Sequence, residues 1–214
     1  MAGRRVGIFG GTFDPVHIGH LIIAEEARVR LALDTVVWVP ARISPHKLCD
    51  MPAPASHRLR MVELAVVTND GFEVSTMEIE REGPSYTVDT LQAYRDALGL
   101  EAEMFFLMGM DSLEAFPRWR APERILELCR LVVAGRPGHE VDLAGVERQI
   151  PGFRARTDVL DAVDIGIAST DLRARLRAGL PIRYQVPAEV EAYIAREGLY
   201  VSAREPQPEG SAPR

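Results

Sequence analysis

Short apolar segments rich in β-branched and aromatic residues alternate along the chain with longer amphipathic segments. This alternation is typical of βα units built around a parallel sheet. The apolar segments predict six strands, at residues 5–9, 35–39, 72–76, 103–108, 130–134 and 158–160. The amphipathic segments predict helices at residues 19–33, 56–67, 87–98, 122–129 and 143–149. We therefore expect a doubly wound α/β fold with a parallel sheet.

The C-terminal part of the chain has helical periodicity without further strands. Residues 169–178 and 187–197 predict two helices, the second with Val190, Tyr193 and Ile194 on one face. We expect them to form a small helical part, residues 165–201, of one folded domain that spans residues 1–201. The remaining residues, 202–214, are polar and rich in Pro, Gly and Glu, and predict a disordered tail.

Composition limits the class of protein. With 47% hydrophobic residues in 214, the chain can bury one sizeable core. The formal net charge of −6 argues against nucleic-acid binding, which needs a clustered basic surface. No apolar run approaches the roughly 18 residues of a membrane span, and Cys49 and Cys129 lack metal-ligand spacing and suit a reducing compartment. We expect an untargeted cytoplasmic protein whose two cysteines are reduced packing residues.

The segment GGTFDPVHIGH, residues 10–20, contains the first group of candidate site residues. Gly10, Gly11 and Thr12 follow a predicted strand, at the edge where ligands of parallel sheets usually bind. His17 and His20 are three residues apart where a helix begins, so both imidazoles can face one anion. The segment matches neither GxGxxG nor the P-loop. It predicts a phosphate site of another kind.

Two other interpretations of the histidine pair stay open. The side chains could belong to the loop or cap the helix that follows it. They could also hold a metal ion, with Asp14, Glu25 or Glu26 as third ligand, although these residues form no HExxH-type spacing. Two imidazoles in register beside a glycine turn favour phosphate binding.

The segment IASTDLR, residues 167–173, predicts a second anion site. Ser169 and Thr170 occupy the N-cap position of a predicted helix, and Arg173 follows one turn later. Two hydroxyls, backbone N–H groups and a guanidinium at one helix end suit the β- and γ-phosphates of a nucleotide. The alternative is an ordinary capped helix with exposed arginines.

The motif His17-Ile18-Gly19-His20 resembles the (H/T)xGH motif of a nucleotidyltransferase superfamily. Six segments in order resemble bacterial nicotinate-mononucleotide adenylyltransferases over about residues 6–200: GGTFDPVHIGH, SPHK, PSYTVDTL, FLMGMDSLEAFPRW, IASTDLR and PIRYQVPAEVEAYIAREGLY. The chain departs from many of these relatives at Ala41 and Ser44, in the loop after the second strand. Pantetheine-phosphate adenylyltransferase shares the first motif and is the alternative, beside a nucleotide-sensing module without turnover.

The resemblance implies a Rossmann-like nucleotidyltransferase domain that uses ATP and nicotinate mononucleotide, with Mg²⁺ bound through phosphates and water. Catalysis would depend on His17, His20, Lys47 and Arg173. ATP would contact Gly10, Gly11, Thr12, Phe13, His17, Gly19, His20, Gly109, Asp111, Ser169, Thr170 and Arg173. Nicotinate mononucleotide would contact Thr12, His46, Lys47, Tyr86, Thr87, Trp119 and Arg120. The resemblance implies no metal held by protein ligands, and it leaves assembly into a homo-oligomer open.

Four of these residues also have purely structural interpretations. Asp111 could be the N-cap of the helix that begins with the sequence SLEAF. Tyr86 and Thr87 could simply begin a helix, and Trp119 could be a packing residue, since aromatic side chains mostly serve cores.

Overall fold

The computed structural model describes residues 3–45, 52–135, 142–161 and 165–201. The strands are β1 (Arg5–Gly11), β2 (Thr35–Pro40), β3 (Phe72–Val74), β4 (Glu103–Gly109), β5 (Arg130–Gly135) and β6 (Thr157–Asp161). The helices are α1 (Ile18–Arg30), α2 (Ala55–Val66), α3 (Met77–Glu80), α4 (Thr87–Leu98), α5 (Met110–Ala115), α6 (Pro122–Leu128), α7 (Leu143–Gln149), α8 (Ser169–Arg177) and α9 (Ala188–Glu197). Short 3₁₀ helices occupy Phe116–Arg118 and Arg154–Arg156.

The strands form one parallel sheet in the order β3-β2-β1-β4-β5-β6. In this order the chain reverses direction across the sheet between β1 and β4, which pair from Arg5 with Glu103 to Phe9 with Leu107. Ligands of such folds bind in the crevice outside the carboxyl ends of the strands at this point. The predicted doubly wound, Rossmann-like fold is confirmed.

Both faces of the sheet are buried. Successive residues of a strand point to opposite faces, so each strand contributes apolar side chains to both. On β2, Val36 and Trp38 belong to the hydrophobic cluster that contains residues of α1 and α2. Val37 and Val39 belong to the opposite cluster, which contains residues of α4 and α6. Helices therefore cover the sheet on both sides, and only its edges and strand ends are left for a site.

The two C-terminal helices pack on the same core as the sheet. Leu172 of α8 and Val190 of α9 are fully buried in the cluster that contains Trp38. The Tyr193 hydroxyl of α9 lies 2.8 Å from Nδ1 of His57 in α2. Consequently α9 joins the main core through α2.

Several element boundaries differ from those predicted by one to three residues, and two of these differences change the local structure. The third strand ends at Val74 rather than at residue 76, and the unpredicted helix α3 follows it. The first helix ends at Arg30 rather than at residue 33, because Ala32 takes a left-handed conformation with φ of 47°. That turn directs Leu33 back into the core, where it is 3% exposed.

One of the two cysteines lies within the described residues. Cys129 is a buried free cysteine, and burial raises the pKa of its thiol to about 12, so it is the predicted inert packing residue. Cys49 and the tail 202–214 lie outside the described residues. Within the part of the chain that the structure describes, no helix combines the length and apolar character needed to cross a bilayer.

Candidate active site

A cleft of about 740 Å³ lies at the carboxyl ends of β1, β4 and β5, within the roughly 300–1,000 Å³ range of ligand pockets. Its lining includes most of the predicted site residues: Gly10, Gly11, Thr12, Phe13, His17, Gly19, His20, Tyr86, Thr87, Gly109, Trp119, Arg120, Ser169, Thr170 and Arg173. His46 and Lys47 lie outside the described residues. Segments separated by more than 150 residues thus meet in one cleft.

His17 and His20 form a stacked pair where α1 begins. Their ring centroids are 3.7 Å apart and the ring planes differ by 28°. The backbone N–H of His17, the N-cap residue, donates to Nδ1 of His20 at 3.2 Å. Because Nδ1 accepts this hydrogen bond, a neutral His20 carries its proton on Nε2. The capping interpretation is therefore correct for the position of His17, and both residues still line the cleft.

Gly19 makes room for this pair. A Cβ atom at position 19 would lie 3.1 Å from both Cε1 and Nδ1 of His17. That distance is shorter than ordinary van der Waals contact, so any side chain would displace the imidazole. The glycine of the motif thus permits the close approach of His17 to the helix backbone.

Phe13 supports the pair from the apolar side. It is 3% exposed, and its ring packs edge-on against His20 with centroids 5.2 Å apart. Its φ of 50° is a left-handed conformation that costs a non-glycine residue about 1–3 kcal/mol. The ring also lies 2.8 Å from the position that a Cβ of Gly11 would occupy. The turn therefore stores backbone strain directly beside His20.

The second motif binds the loop of the first. Arg173 is 9% exposed, and its Nη1 donates to the backbone carbonyl of Asp14 at 2.8 Å. The Ser169 hydroxyl donates to the carbonyl of Pro15 at 2.9 Å. The predicted N-cap at Ser169 and Thr170 is wrong, because Ala168 is the N-cap and the serine hydroxyl is engaged with Pro15. The alternative of exposed arginines is also wrong for Arg173.

Asp14 joins three distant segments beneath this loop. Its Oδ1 accepts hydrogen bonds from the Tyr200 hydroxyl at 2.6 Å and from the Ala53 backbone N–H at 3.1 Å. Its Oδ2 lies 3.5 Å from Nη1 of Arg173. Burial, followed by the negative charge of Asp14, raises the pKa of Tyr200. Sequence reasoning considered Asp14 only as a metal ligand and missed Tyr200, which is 186 residues away.

Arg58 fixes the same loop from the other side. It is 1% exposed, and its guanidinium donates to the carbonyls of Thr12 at 2.7 Å, Ala53 at 2.9 Å and Arg42 at 3.1 Å. Burial lowers the pKa of Arg58, and the nearby charge of Asp14 opposes that shift. The sequence carried a signal for this role, since Arg58 falls on the apolar face of α2 together with Met61.

Aromatic and basic side chains line the other end of the cleft. Tyr86 is the N-cap of α4, and Arg120 lies 4.7 Å above its ring and 3.3 Å from Asp89. Trp119 packs edge-on against Phe116, with centroids 5.6 Å apart. The structural interpretations of Tyr86 and Trp119 are therefore correct, and both residues also face the cleft.

Gly109 leaves an opening at the end of β4. It is the N-cap of α5, so the interpretation of Asp111 as N-cap is wrong, and Asp111 is instead the second residue of that helix. A Cβ atom at Gly109 would meet nothing within 4 Å. The backbone here is accessible from the cleft at the topological switch point.

The residues considered as third metal ligands have other partners. Glu25 forms an ion pair with Arg28 at 2.6 Å, and Glu26 forms one with Arg30 at 2.7 Å. Within the described ranges, no three His, Cys, Asp or Glu side chains are grouped as metal ligands would be.

The fold and the lining of the cleft agree with one family of proteins, the cytidylyltransferase-like family. The cytidylyltransferase-like family model matches residues 8–175, from within β1 to within α8. That range includes both motifs that line the cleft.

Two curated relatives narrow the class. A probable nicotinate-nucleotide adenylyltransferase from a Roseiflexus species is 48% identical over 200 residues, which are 94% of this chain and 100% of the relative. Another from Thermomicrobium roseum is 48% identical over 196 residues, covering 92% of this chain and 91% of the relative. The chain belongs to the nicotinate-nucleotide adenylyltransferase family.

A solved structure has the same fold. Nicotinic acid mononucleotide adenylyltransferase of Plasmodium falciparum, complexed with NaAD, superposes with a TM-score of 0.75 at 16% identity. The superposition covers 92% of this chain and 97% of that one. At this level of identity, the likeness describes the fold alone.

Proposed function

We propose that this protein transfers the adenylyl group of ATP to nicotinate mononucleotide, giving deamido-NAD and pyrophosphate in NAD biosynthesis. The observation that carries this proposal is the stacked pair of His17 and His20, which lines a cleft at the switch point of the sheet together with Arg173. Family membership supports it, because the curated relatives are named for this reaction.

The reaction needs positioning and charge stabilisation rather than a covalent intermediate. The phosphate of the mononucleotide attacks the α-phosphorus of ATP in line, and pyrophosphate leaves. This phosphate is already ionised near neutral pH, so no general base is needed. The Nε2–H of His20 and the guanidinium of Arg173 stabilise the charge that develops on the phosphate oxygens. Lys47 is proposed to act with them on the same phosphates.

The two ends of the cleft suit the two substrates. ATP phosphates occupy the end with the glycine turn, the histidine pair and Ser169, and adenosine lies over the open backbone at Gly109. The nicotinate ring stacks on Trp119 and its carboxylate accepts hydrogen bonds near Thr87. Ala41 and Ser44 also line the cleft, and the backbone N–H of Ala41 donates to the carbonyl of Gly11 at 2.9 Å.

Mg²⁺ is proposed to enter with ATP as part of the substrate. The side chains that face the phosphate end are imidazole, hydroxyl and guanidinium groups, which bind phosphate rather than a hard cation. The carboxylate of Asp14 is engaged with Tyr200 and Arg173. Phosphate oxygens and water are therefore the ligands that fit the ion.

A comparison of acceptors tests the function. With ATP and Mg²⁺, we expect nicotinate mononucleotide to yield deamido-NAD and pyrophosphate, and phosphopantetheine to yield neither above background. Product from phosphopantetheine alone would support the pantetheine-phosphate alternative. ATP binding without pyrophosphate release from any acceptor would support a nucleotide-sensing module. Cytoplasmic location and assembly into a homo-oligomer stay predictions.

A further inference from the structure

Arg120 lies at the end of the cleft proposed for nicotinate mononucleotide, which it lines together with Tyr86 and Trp119. Among the described residues, one other guanidinium lines the cleft, that of Arg173. Arg173 is 9% exposed and donates to the carbonyl of Asp14 at 2.8 Å. The side chain of Arg120, in contrast, is 58% exposed. A guanidinium is therefore open to a ligand at this end of the cleft.

An aromatic ring and a backbone turn fix the place of this guanidinium. Cζ of Arg120 lies 4.7 Å from the centroid of the Tyr86 ring, at the distance of a cation–π contact. The next residue, Ala121, has φ of 49° and ψ of 60°, a left-handed conformation that is strained for alanine. This turn separates the segment that contains Trp119 from α6. Together they hold the guanidinium beside the proposed position of the nicotinate ring.

Asp89 of α4 is the present partner of Arg120. Its Oδ2 accepts from Nη1 of Arg120 at 3.3 Å, and within the part of the chain that the structure describes this is the one side-chain hydrogen bond that Arg120 donates. The contact is long for a charge-assisted hydrogen bond, which usually measures about 2.7–2.9 Å. Both side chains are exposed, and exposed ion pairs contribute little to stability. A second carboxylate can therefore replace Asp89 at little cost.

The acid and amide forms of the mononucleotide differ in charge at the ring. Nicotinate carries a carboxylate beside the positively charged ring nitrogen, whereas nicotinamide carries a neutral amide and leaves the ring positive. A guanidinium binds a carboxylate through charge-assisted hydrogen bonds and repels a cationic ring. Of an amide, only the oxygen can accept its donors. A guanidinium at this position thus discriminates by attraction and by repulsion.

We propose that Arg120 determines the preference for the acid form by exchanging Asp89 for the carboxylate on the nicotinate ring. The proposal rests on the proposed function, because it names a residue that chooses between two acceptors of that same site. Tyr86 keeps the guanidinium in place during the exchange, and Asp89 competes with the ligand. The Thr87 hydroxyl donates to the same carboxylate, whose two oxygens accept about four hydrogen bonds. Removing Arg120 and neutralising Asp89 should therefore change the specificity in opposite directions.

Arg120→Met tests the exchange, because methionine keeps much of the apolar stem and removes the charge. The control is Arg118→Met, an equal charge change at an exposed, described residue outside the cleft lining. We expect Arg120→Met to lower kcat/KM for nicotinate mononucleotide about 5- to 50-fold, as for loss of a partly exposed hydrogen bond to a charged group. For nicotinamide mononucleotide, which has no carboxylate to lose, kcat/KM should stay within about twofold or rise. Arg118→Met should change neither value.

Asp89→Asn tests the competition. The amide neither repels the carboxylate of the ligand nor holds Arg120 as strongly, so kcat/KM for nicotinate mononucleotide should rise about two- to fivefold. Asp96→Asn, at an exposed carboxylate later in α4, is the control and should leave this value unchanged. Melting temperatures establish that all four variants are folded.

Several results would overturn the proposal. An unchanged acid preference in Arg120→Met would refute the role of Arg120, and equal losses for both mononucleotides would place it on the phosphate that they share. No rise in Asp89→Asn would contradict the exchange. Calorimetric Kd values for the two mononucleotides repeat the comparison without turnover. The absence of product from both mononucleotides with the wild-type protein would instead overturn the proposed function, and the Kd values would still test Arg120.

Discussion

The hydroxyl of Tyr200 donates a hydrogen bond of 2.6 Å to Oδ1 of Asp14, joining the end of the described chain to its first motif. Asp14 also contacts Arg173, and through it the second anion motif. The two motifs that line the cleft thus share one buried carboxylate. Tyr200 holds that carboxylate in place.

Tyr200→Phe should therefore weaken both stability and the phosphate site. Asp14 keeps the Ala53 N–H but loses a hydroxyl donor, and we expect the free energy of unfolding to fall by about 1–3 kcal/mol. KM for ATP should rise as well, because Arg173 loses a fixed partner. Urea titration and steady-state kinetics measure the two effects. Tyr184→Phe, at an 88% exposed tyrosine, is the matched control, and equal behaviour of both variants would contradict the shared role of Asp14.

Gly109→Ala separates ligand contact from folding. The added Cβ meets nothing within 4 Å, and φ of −81° with ψ of 164° suits alanine, so the melting temperature should not change. If adenosine lies on this backbone, the methyl group overpacks the complex by about 1–3 kcal/mol, and Kd for ATP rises roughly 5- to 100-fold. Calorimetric titration with ATP measures this. Gly166→Ala, also in open space, is the control, and an equal Kd in both variants would remove adenosine from this position.

The fold and the positions of the two motifs that line the cleft could be predicted because their signals are local. β-branched runs give the six strands, and glycine turns with histidine or hydroxyl residues indicate helix starts. The hydrogen-bond partners of Arg58 and Tyr200 could not, since they are 46 and 186 residues away, at Thr12 and Asp14. The position of Arg58 on the apolar face of α2 indicates only that its side chain is buried. The N-cap prediction at Ser169 failed for the same reason, because a distant carbonyl took its hydroxyl.

The acid form of the mononucleotide should be preferred over the amide. A carboxylate accepts hydrogen bonds from Thr87 and nearby backbone N–H groups, whereas an amide turns a donor toward a donor. An unpaired buried donor costs about 1–3 kcal/mol, which is a preference of roughly 5- to over 100-fold in kcat/KM. Thr87→Val should reduce kcat/KM for the acid while the amide changes little. Equal kcat/KM values of the wild-type protein for both forms would refute the carboxylate pocket.

Lys47 is the only lysine in the sequence. Selective labelling of its amine can therefore test the proposed phosphate contact. An amine-reactive reagent should modify Lys47 several-fold more slowly in the presence of ATP and Mg²⁺. The N-terminal amine is the internal reference, and mass spectrometry of peptides separates the two products. Identical modification rates with and without ATP would contradict a phosphate contact at Lys47.

The kcat of His20→Ala shows whether the histidine pair stabilises the phosphates during adenylyl transfer. His57→Ala is the matched control, since His57 contacts Tyr193 and does not line the cleft. With saturating ATP, Mg²⁺ and nicotinate mononucleotide, His20→Ala should form deamido-NAD about 10²- to 10³-fold more slowly than the wild type, as for loss of one preorganised oxyanion donor. His57→Ala should keep a near-normal kcat. A folded His20→Ala protein with a near-normal kcat would contradict this role of the histidine pair.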